Sequence, residues 1–155
     1  MDNAFSWVKK NGGLAYESDY VYVSGTTKTA GTCTQSQYTI DAKVAPASYT
    51  DVQTNSDAAL MSAIAQQPVS VAIEADQSAF QLYKSGVFTA SCGTNLDHGV
   101  LAVGYGSLNG VDYYKVKNSW GTSWGMDGYI LLQRGVSQKQ GQCGILSGPP
   151  SYPNL

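Results

Sequence analysis

The sequence predicts an α+β fold, a barrel-like antiparallel β domain with helices packed outside it, and three observations lead there. The front half holds two stretches of helical period with start and stop signals, at 2–11 and 56–66. The back half holds short apolar runs separated by Gly and Asn-Gly turns. The composition carries only 13% charged residues beside 17 Gly and 11 Tyr, a mix that suits turns and strands better than coiled coils or disordered tails.

In 2–11, Asp2 is placed to cap the helix, Ala4, Phe5 and Val8 share a face, Lys9 and Lys10 lie in the last turn, and Gly12-Gly13 stops it. Residues 14–34 are rich in Tyr, Ser, Thr and Gly and read as an ordered loop. In 56–66, Ser56 is the cap, Leu60 and Ile64 stand one turn apart, and Pro68 ends the run. Val69, Val71 and Ile73 alternate with Ser70 and Ala72, which is strand periodicity. A short helix is expected over 76–85, with Asp76 as cap and Gly86 as stop. Three strands follow at 99–105, 112–118 and 128–134. In the second, Tyr114, Val116 and Asn118 point to one face and Tyr113, Lys115 and Lys117 to the other.

A net charge of −2 without a Lys/Arg cluster argues against nucleic acid or an anionic membrane as partner. No apolar run approaches the ~18 residues of a membrane span, and the opening residues have no signal-peptide core. The three cysteines, Cys33, Cys92 and Cys143, form no CxxC pair, and one histidine cannot complete a Cys/His zinc site at the usual spacings. No metal and no cofactor are expected.

His98 is the only histidine. A lone histidine is more often structural than catalytic, but this one sits at the start of an apolar, Gly-rich strand that would anchor its backbone and leave its ring free to face an opening. Asp97 is a poor partner, because neighbours in a strand point to opposite faces. Asn118 is better placed: it closes the next strand on the apolar side, and its carboxamide oxygen can accept an imidazole N–H, fixing the ring's tautomer and aim. Trp120 and Trp124 follow closely. They are core aromatics on the simplest reading, and a lid over the His–Asn bond on the functional one.

LDHGVLAVGYG (96–106) followed by YYKVKNSWGTSWGMDGYI (113–130) resembles the histidine and asparagine blocks of the papain-like cysteine peptidases, which include the cathepsins and many plant vacuolar proteases. MDNAFSWVKKNGGLAYESDYVY (1–22), QPVSVAIEA (67–75), FQLYKSGVF (80–88) and CGILSGPPSYP (143–153) agree as well, so the resemblance spans nearly the whole chain. It implies that His98 is the general base and acid, that Asn118 orients it and that Trp120 shields the pair. It implies a disulfide between Cys92 and Cys143 and a free Cys33, whose partner would lie upstream. The pocket for the substrate's second residue would be formed by Tyr20, Val21, Ala72, Leu96, Gly99 and Gly148, with Trp120 also on the substrate side; these are uncharged and mostly small or apolar, so a hydrophobic residue is expected there. Val21 stands where the family usually has proline.

The family's nucleophile lies in a CGSCW-like motif, and neither that motif nor the glutamine of the oxyanion hole occurs here. Ser119 reads as a turn residue, and none of the three cysteines has the setting of a reactive thiol. The expectation is therefore a C-terminal fragment of a cysteine endopeptidase, inactive alone, whose partners are peptide or protein substrates and the missing N-terminal part. Residues 1–20 would be a remnant of the helical left-hand subdomain and 21–155 mostly the right-hand β-barrel subdomain. By the same resemblance the compartment would be lysosomal, vacuolar or extracellular. The rival readings are a catalytically inactive homologue kept as a binding or scaffold protein and a secreted carbohydrate-binding β domain, the latter favoured by composition alone.

Overall fold

The computed structural model describes residues 1–155. They form two compact units, one of Thr50–Tyr152 with Met1, the other of Asp2–Tyr49 with Pro153–Leu155. In chain order the elements are α1 (Asp2–Asn11), β1 (Leu14–Ala15), α2 (Ser24–Thr27), β2 (Ile40–Asp41), β3 (Ser48–Asp51), α3 (Asp57–Ile64), β4 (Val69–Ile73), α4 (Ser78–Gln81), β5 (Val87–Phe88), β6 (His98–Leu108), β7 (Val111–Lys117), β8 (Tyr129–Gln133) and β9 (Ser151–Asn154). The larger sheet has the order β3-β9-β4-β6-β7-β8-β5. The α+β class expected from the sequence is the class observed.

The core of the larger unit is built by the alternation legible in β4. Val69, Val71 and Ile73 are fully buried, while Ser70 and Ala72 are half-buried. They pack with Leu60, Ala102, Val116, Ile130, Leu132 and Ile145, all fully buried. α3 enters this core through Leu60, Ala63 and Ile64, and the Ser56 hydroxyl accepts from Ala59 N at 3.2 Å, satisfying one of the helix's free donors as the sequence predicts. Burying a Leu or Ile side chain stabilises by about 1.5–3 kcal/mol, so α3 is held chiefly by this face.

β6 pairs antiparallel with β4, Ile73 opposite His98 and Ala72 opposite Gly99. It pairs with β7 on its other side, Ala102 opposite Val116, with a register shift between Ala102 and Gly104. β7 pairs with β8, Val116 opposite Ile130. The two-residue β5 differs in direction, pairing parallel to β8.

The helix expected over 76–85 is shorter than predicted. Only Ser78–Gln81 is helical, with Gln77 at the cap position and no side-chain cap. The Asp76 carboxylate accepts instead from Gln77 Nε2 at 2.8 Å, and the Tyr83 hydroxyl donates to Gly86 O at 2.6 Å, closing the segment that follows.

In the smaller unit, α1 spans the predicted 2–11 but buries no residue; Phe5 stacks on Tyr49 with ring centres 6.2 Å apart, and Lys9 Nζ donates to Ala47 O at 2.6 Å. Gly13 is required where β1 meets β2: its φ is +135°, and a Cβ there would stand 2.1 Å from Asp41 O. The stretch read as a loop over 14–34 contains β1 and α2. It is tied down by Tyr20, whose ring stacks on Tyr38 at 4.9 Å and whose hydroxyl accepts from Thr34 N at 3.0 Å.

Candidate active site

His98 opens β6 and Asn118 is the first residue past β7, so two hydrogen-bonded neighbouring strands bring them together across 20 residues of sequence. Asn118 is 8% exposed and its backbone N donates to Gly128 O at 2.9 Å, which fixes the point where the chain leaves the strand. The His98 Nε2 to Asn118 Oδ1 distance is 2.8 Å. Oδ1 also accepts from Ser119 N at 2.8 Å. An oxygen facing two N–H groups is an acceptor to both, so Nε2 carries the proton and donates. In the neutral ring Nδ1 is then the basic nitrogen, and it makes no hydrogen bond within the chain.

Trp120 stacks on the imidazole with ring centres 5.2 Å apart and planes 27° from parallel. It is 39% exposed, which suits a cover over the His98–Asn118 bond with one face in solvent. Behind it, Trp124 and the fully buried Phe80 meet it edge-on at 5.2 and 5.6 Å. Trp124 Nε1 donates to Gln81 O at 2.9 Å, so α4 supports this aromatic stack from below. Sequence reasoning missed the Ser119 amide and the Phe80 support. The first has no side-chain signal, and the second lies in a helix shorter than its sequence pattern predicts. Asp97 is not His98's partner: its Oδ1 accepts from Ala75 N at 2.8 Å.

Of the six pocket residues, the four in the larger unit converge. Ala72 is the register partner of Gly99, and a Cβ built on Gly148 would lie 3.6 Å from the Ala72 Cβ and 2.8 Å from Leu96 Cδ1. A Cβ at Gly99 would meet nothing within 4 Å. Tyr20 and Val21 belong to the smaller unit, where they line a cavity of about 530 Å³ with Glu17, Tyr22 and Cys33. Cys92 and Cys143 are bonded, with Cα atoms 5.0 Å apart, and Cys33 is free and exposed.

A histidine whose ring is held by an asparagine and covered by a tryptophan has the geometry that a base and its orienter need in nucleophilic catalysis. A family profile, papain family cysteine protease, matches residues 1–152, and the chain belongs to that family. It is similar to cysteine proteinase COT44 of Brassica napus, 52% identical over 154 residues, covering 99% of this chain and 45% of that protein. It is similar too to germination-specific cysteine protease 1 of Arabidopsis thaliana, 51% identical over 155 residues, 99% of this chain and 39% of that one. The chain thus spans less than half the length of these relatives. Among solved structures it superposes on the bromelain protease from Ananas comosus in complex with the E64 inhibitor, with a TM-score of 0.87 and 41% identity over 99% of this chain and 68% of that chain. It also superposes on the proform of the ragweed pollen allergen Amb a 11, a cysteine protease, with a TM-score of 0.89 and 38% identity over 100% of this chain and 41% of that one.

Proposed function

We propose that this chain supplies the histidine and asparagine of a cysteine endopeptidase whose thiol comes from a segment outside it. The observation that carries the reading is the 2.8 Å bond from His98 Nε2 to Asn118 Oδ1, which leaves Nδ1 as the basic nitrogen. In this reading Nδ1 takes the proton of a cysteine thiol, and the thiolate attacks the peptide carbonyl carbon. The C–N bond then breaks as the imidazolium returns the proton to the leaving amine, giving a thioester. His98 next takes a proton from water, whose oxygen attacks the thioester carbon; the C–S bond breaks, the acid is released, and the imidazolium returns the proton to the sulfur. Asn118 holds the ring in one tautomer through both halves, and Trp120 keeps water off their bond.

The substrates are peptides or proteins, and Ala72, Leu96, Gly99 and Gly148 form the apolar part of the pocket for the second residue. Residues 1–20 belong to a helical subdomain and 21–155 mostly to the barrel-like one, and the whole protein works in a lysosomal, vacuolar or extracellular compartment. A net charge of −2 gives no support for nucleic-acid or anionic-membrane binding, and no helix is long and apolar enough to cross a membrane. Two of the three cysteines are bonded to each other and so cannot act as nucleophiles, which supports a thiol brought from elsewhere. The same observation also favours a second reading, an inactive homologue acting as a binding or scaffold protein.

The test is to assay the purified 155-residue chain on a fluorogenic peptide with an apolar residue at the second position, with and without a thiol-directed epoxide. The expected result is no epoxide-sensitive turnover, since removing a single oxyanion donor alone lowers rates by about 10²–10³ in a well-studied protease and here the nucleophile itself is lacking. Epoxide-sensitive turnover would overturn the proposal and turn attention to Cys33.

A further inference from the structure

One buried acid has no part in the site described so far. Glu74 follows β4 directly and is 5% exposed. A buried carboxylate is costly unless its oxygens are satisfied, so its partners reveal what holds it there. Oε1 accepts from Gly93 N at 3.0 Å and from Gln77 Nε2 at 3.1 Å, and Oε2 accepts from Asn95 N at 2.5 Å. All three are neutral donors, and two are backbone amides of the irregular segment 92–97 that leads into His98. Charge-assisted bonds of this kind are about twice as strong as neutral ones.

The rest of that segment is fixed at alternate residues. Cys92 is bonded to Cys143, whose carbonyl accepts from Glu74 N at 2.9 Å. Asp97 N donates to Ile73 O at 3.0 Å while its side chain accepts from Ala75 N. Between these ties, Leu96 is set against Gly144 and Gly148, and His98 enters β6 aimed at Asn118. Gly93 has no room for a side chain: a Cβ there would stand 2.4 Å from Glu74 Oε2. Its φ lies outside the left-handed region, so the carboxylate is the obstacle to a larger residue, not the backbone.

We propose that Glu74 is a positioning residue: by holding the amides of Gly93 and Asn95 it sets the segment that aims His98 at Asn118 and places Leu96 at the pocket. The functional meaning rests on reading His98 as the base. The positioning itself is measured without any peptidase activity, so a chain that never hydrolyses a peptide would still report it.

His98 is the only histidine, so its ring signals are unambiguous. The experiment records ring ¹⁵N shifts of His98 at alkaline pH, where imidazole is neutral, together with amide hydrogen exchange, in wild type, E74Q and G93A. E74Q keeps the shape but turns an NH₂ group toward one of the two backbone donors. G93A keeps the acid and displaces it sterically. Wild type is expected to show the Nε2–H tautomer alone. Both variants are expected to show mixed or averaged tautomers and at least tenfold faster exchange at Asn95, with Tyr114 and Val116 amides as protected as before. An unchanged ring signature alongside faster Asn95 exchange would overturn the proposal, because Glu74 would then anchor the loop without aiming the ring. Unchanged exchange at Asn95 would overturn it as well. If E74Q does not fold, G93A is read alone by the same criteria. Loss of the fold in both variants would make Glu74 a stability residue and refute the positioning role.

Discussion

Reducing the Cys92–Cys143 disulfide perturbs the larger unit without changing an atom of any side chain but the two sulfurs. The bond closes a loop with a sequence separation of 51. Chain-entropy arguments assign such a loop about 14 cal/mol/K, which is about 4 kcal/mol near room temperature. Against a typical total of about 5–15 kcal/mol, the reduced unit should remain folded but become marginal. The loss also falls on the segment that leads into His98, because Cys92 opens it. The assay is urea unfolding followed by tryptophan fluorescence in a W7F background, which leaves Trp120 and Trp124, both in the larger unit, as the only reporters. With slopes of roughly 1–3 kcal/mol per molar urea, the midpoint should fall by about 1.3–4 M on reduction. A drop worth less than about 1 kcal/mol would refute the reasoning. It would mean that the unfolded chain is already confined by other structure or that the native bond is strained.

N118A removes the acceptor of both His98 Nε2 and Ser119 N; ring ¹⁵N shifts should change from one tautomer to a mixture, with a stability loss of about 1 kcal/mol, and an unchanged ring signature would show that Asn118 does not orient it. Tyr114 is 1% exposed, and burial, then its hydrogen bond to the Asp57 carboxylate, pushes its phenol well above the ordinary tyrosine range. Its folded value lies above the unfolded one, so its contribution is complete below about pH 10 and is lost only as pH rises beyond that. Ultraviolet titration should therefore find at least one tyrosine that does not ionise with the others, and Y114F should cost about 1.5–3 kcal/mol; a full complement of ordinary tyrosines would contradict this. The Asp41 carboxyl is held below its ordinary value first by the hydrogen bond from the Tyr16 hydroxyl and then by the Lys43 amide. Because the folded value is depressed, that contribution is present above about pH 4 and disappears as pH falls through the folded value. Carboxyl ¹³C titration should show Y16F moving Asp41 back toward the ordinary value, and no movement would remove the hydroxyl as the cause.

Sequence reading succeeded where the signal was local. Ser56 and the Leu60/Ile64 spacing placed α3, the alternation of Val69, Val71 and Ile73 placed β4, and α1 fell on its predicted bounds. The meeting of His98 and Asn118 was legible because each sits at an end of one of two consecutive strands, and consecutive antiparallel strands commonly pair. What stayed hidden depends on partners distant in sequence. β5 is two residues long and gains its place by pairing with β8, more than 40 residues later. The segment 14–49 is ordered by long-range bonds such as Tyr16 to Asp41 and Tyr20 to Thr34, which no periodicity reveals. Asp76 had the right residue type for a cap, but its carboxylate bonds to Gln77 instead. Glu74 reads in the sequence as an acid at the end of an apolar strand, and only the fold brings the Gly93 and Asn95 amides to it.

The central claim is that His98 and Asn118 are the base and orienter of a thiol peptidase whose nucleophile comes from outside this chain. The most direct measurement is complementation: the 155-residue chain is joined to the N-terminal, cysteine-bearing segment of a papain-family relative, and turnover of a peptide with an apolar second residue is titrated with a thiol-directed epoxide. The account predicts turnover that falls to zero at one epoxide per chain and that is lost both when the supplied cysteine is changed to alanine and in H98A. A properly folded, joined protein that shows no turnover, or one whose turnover survives H98A, would contradict it.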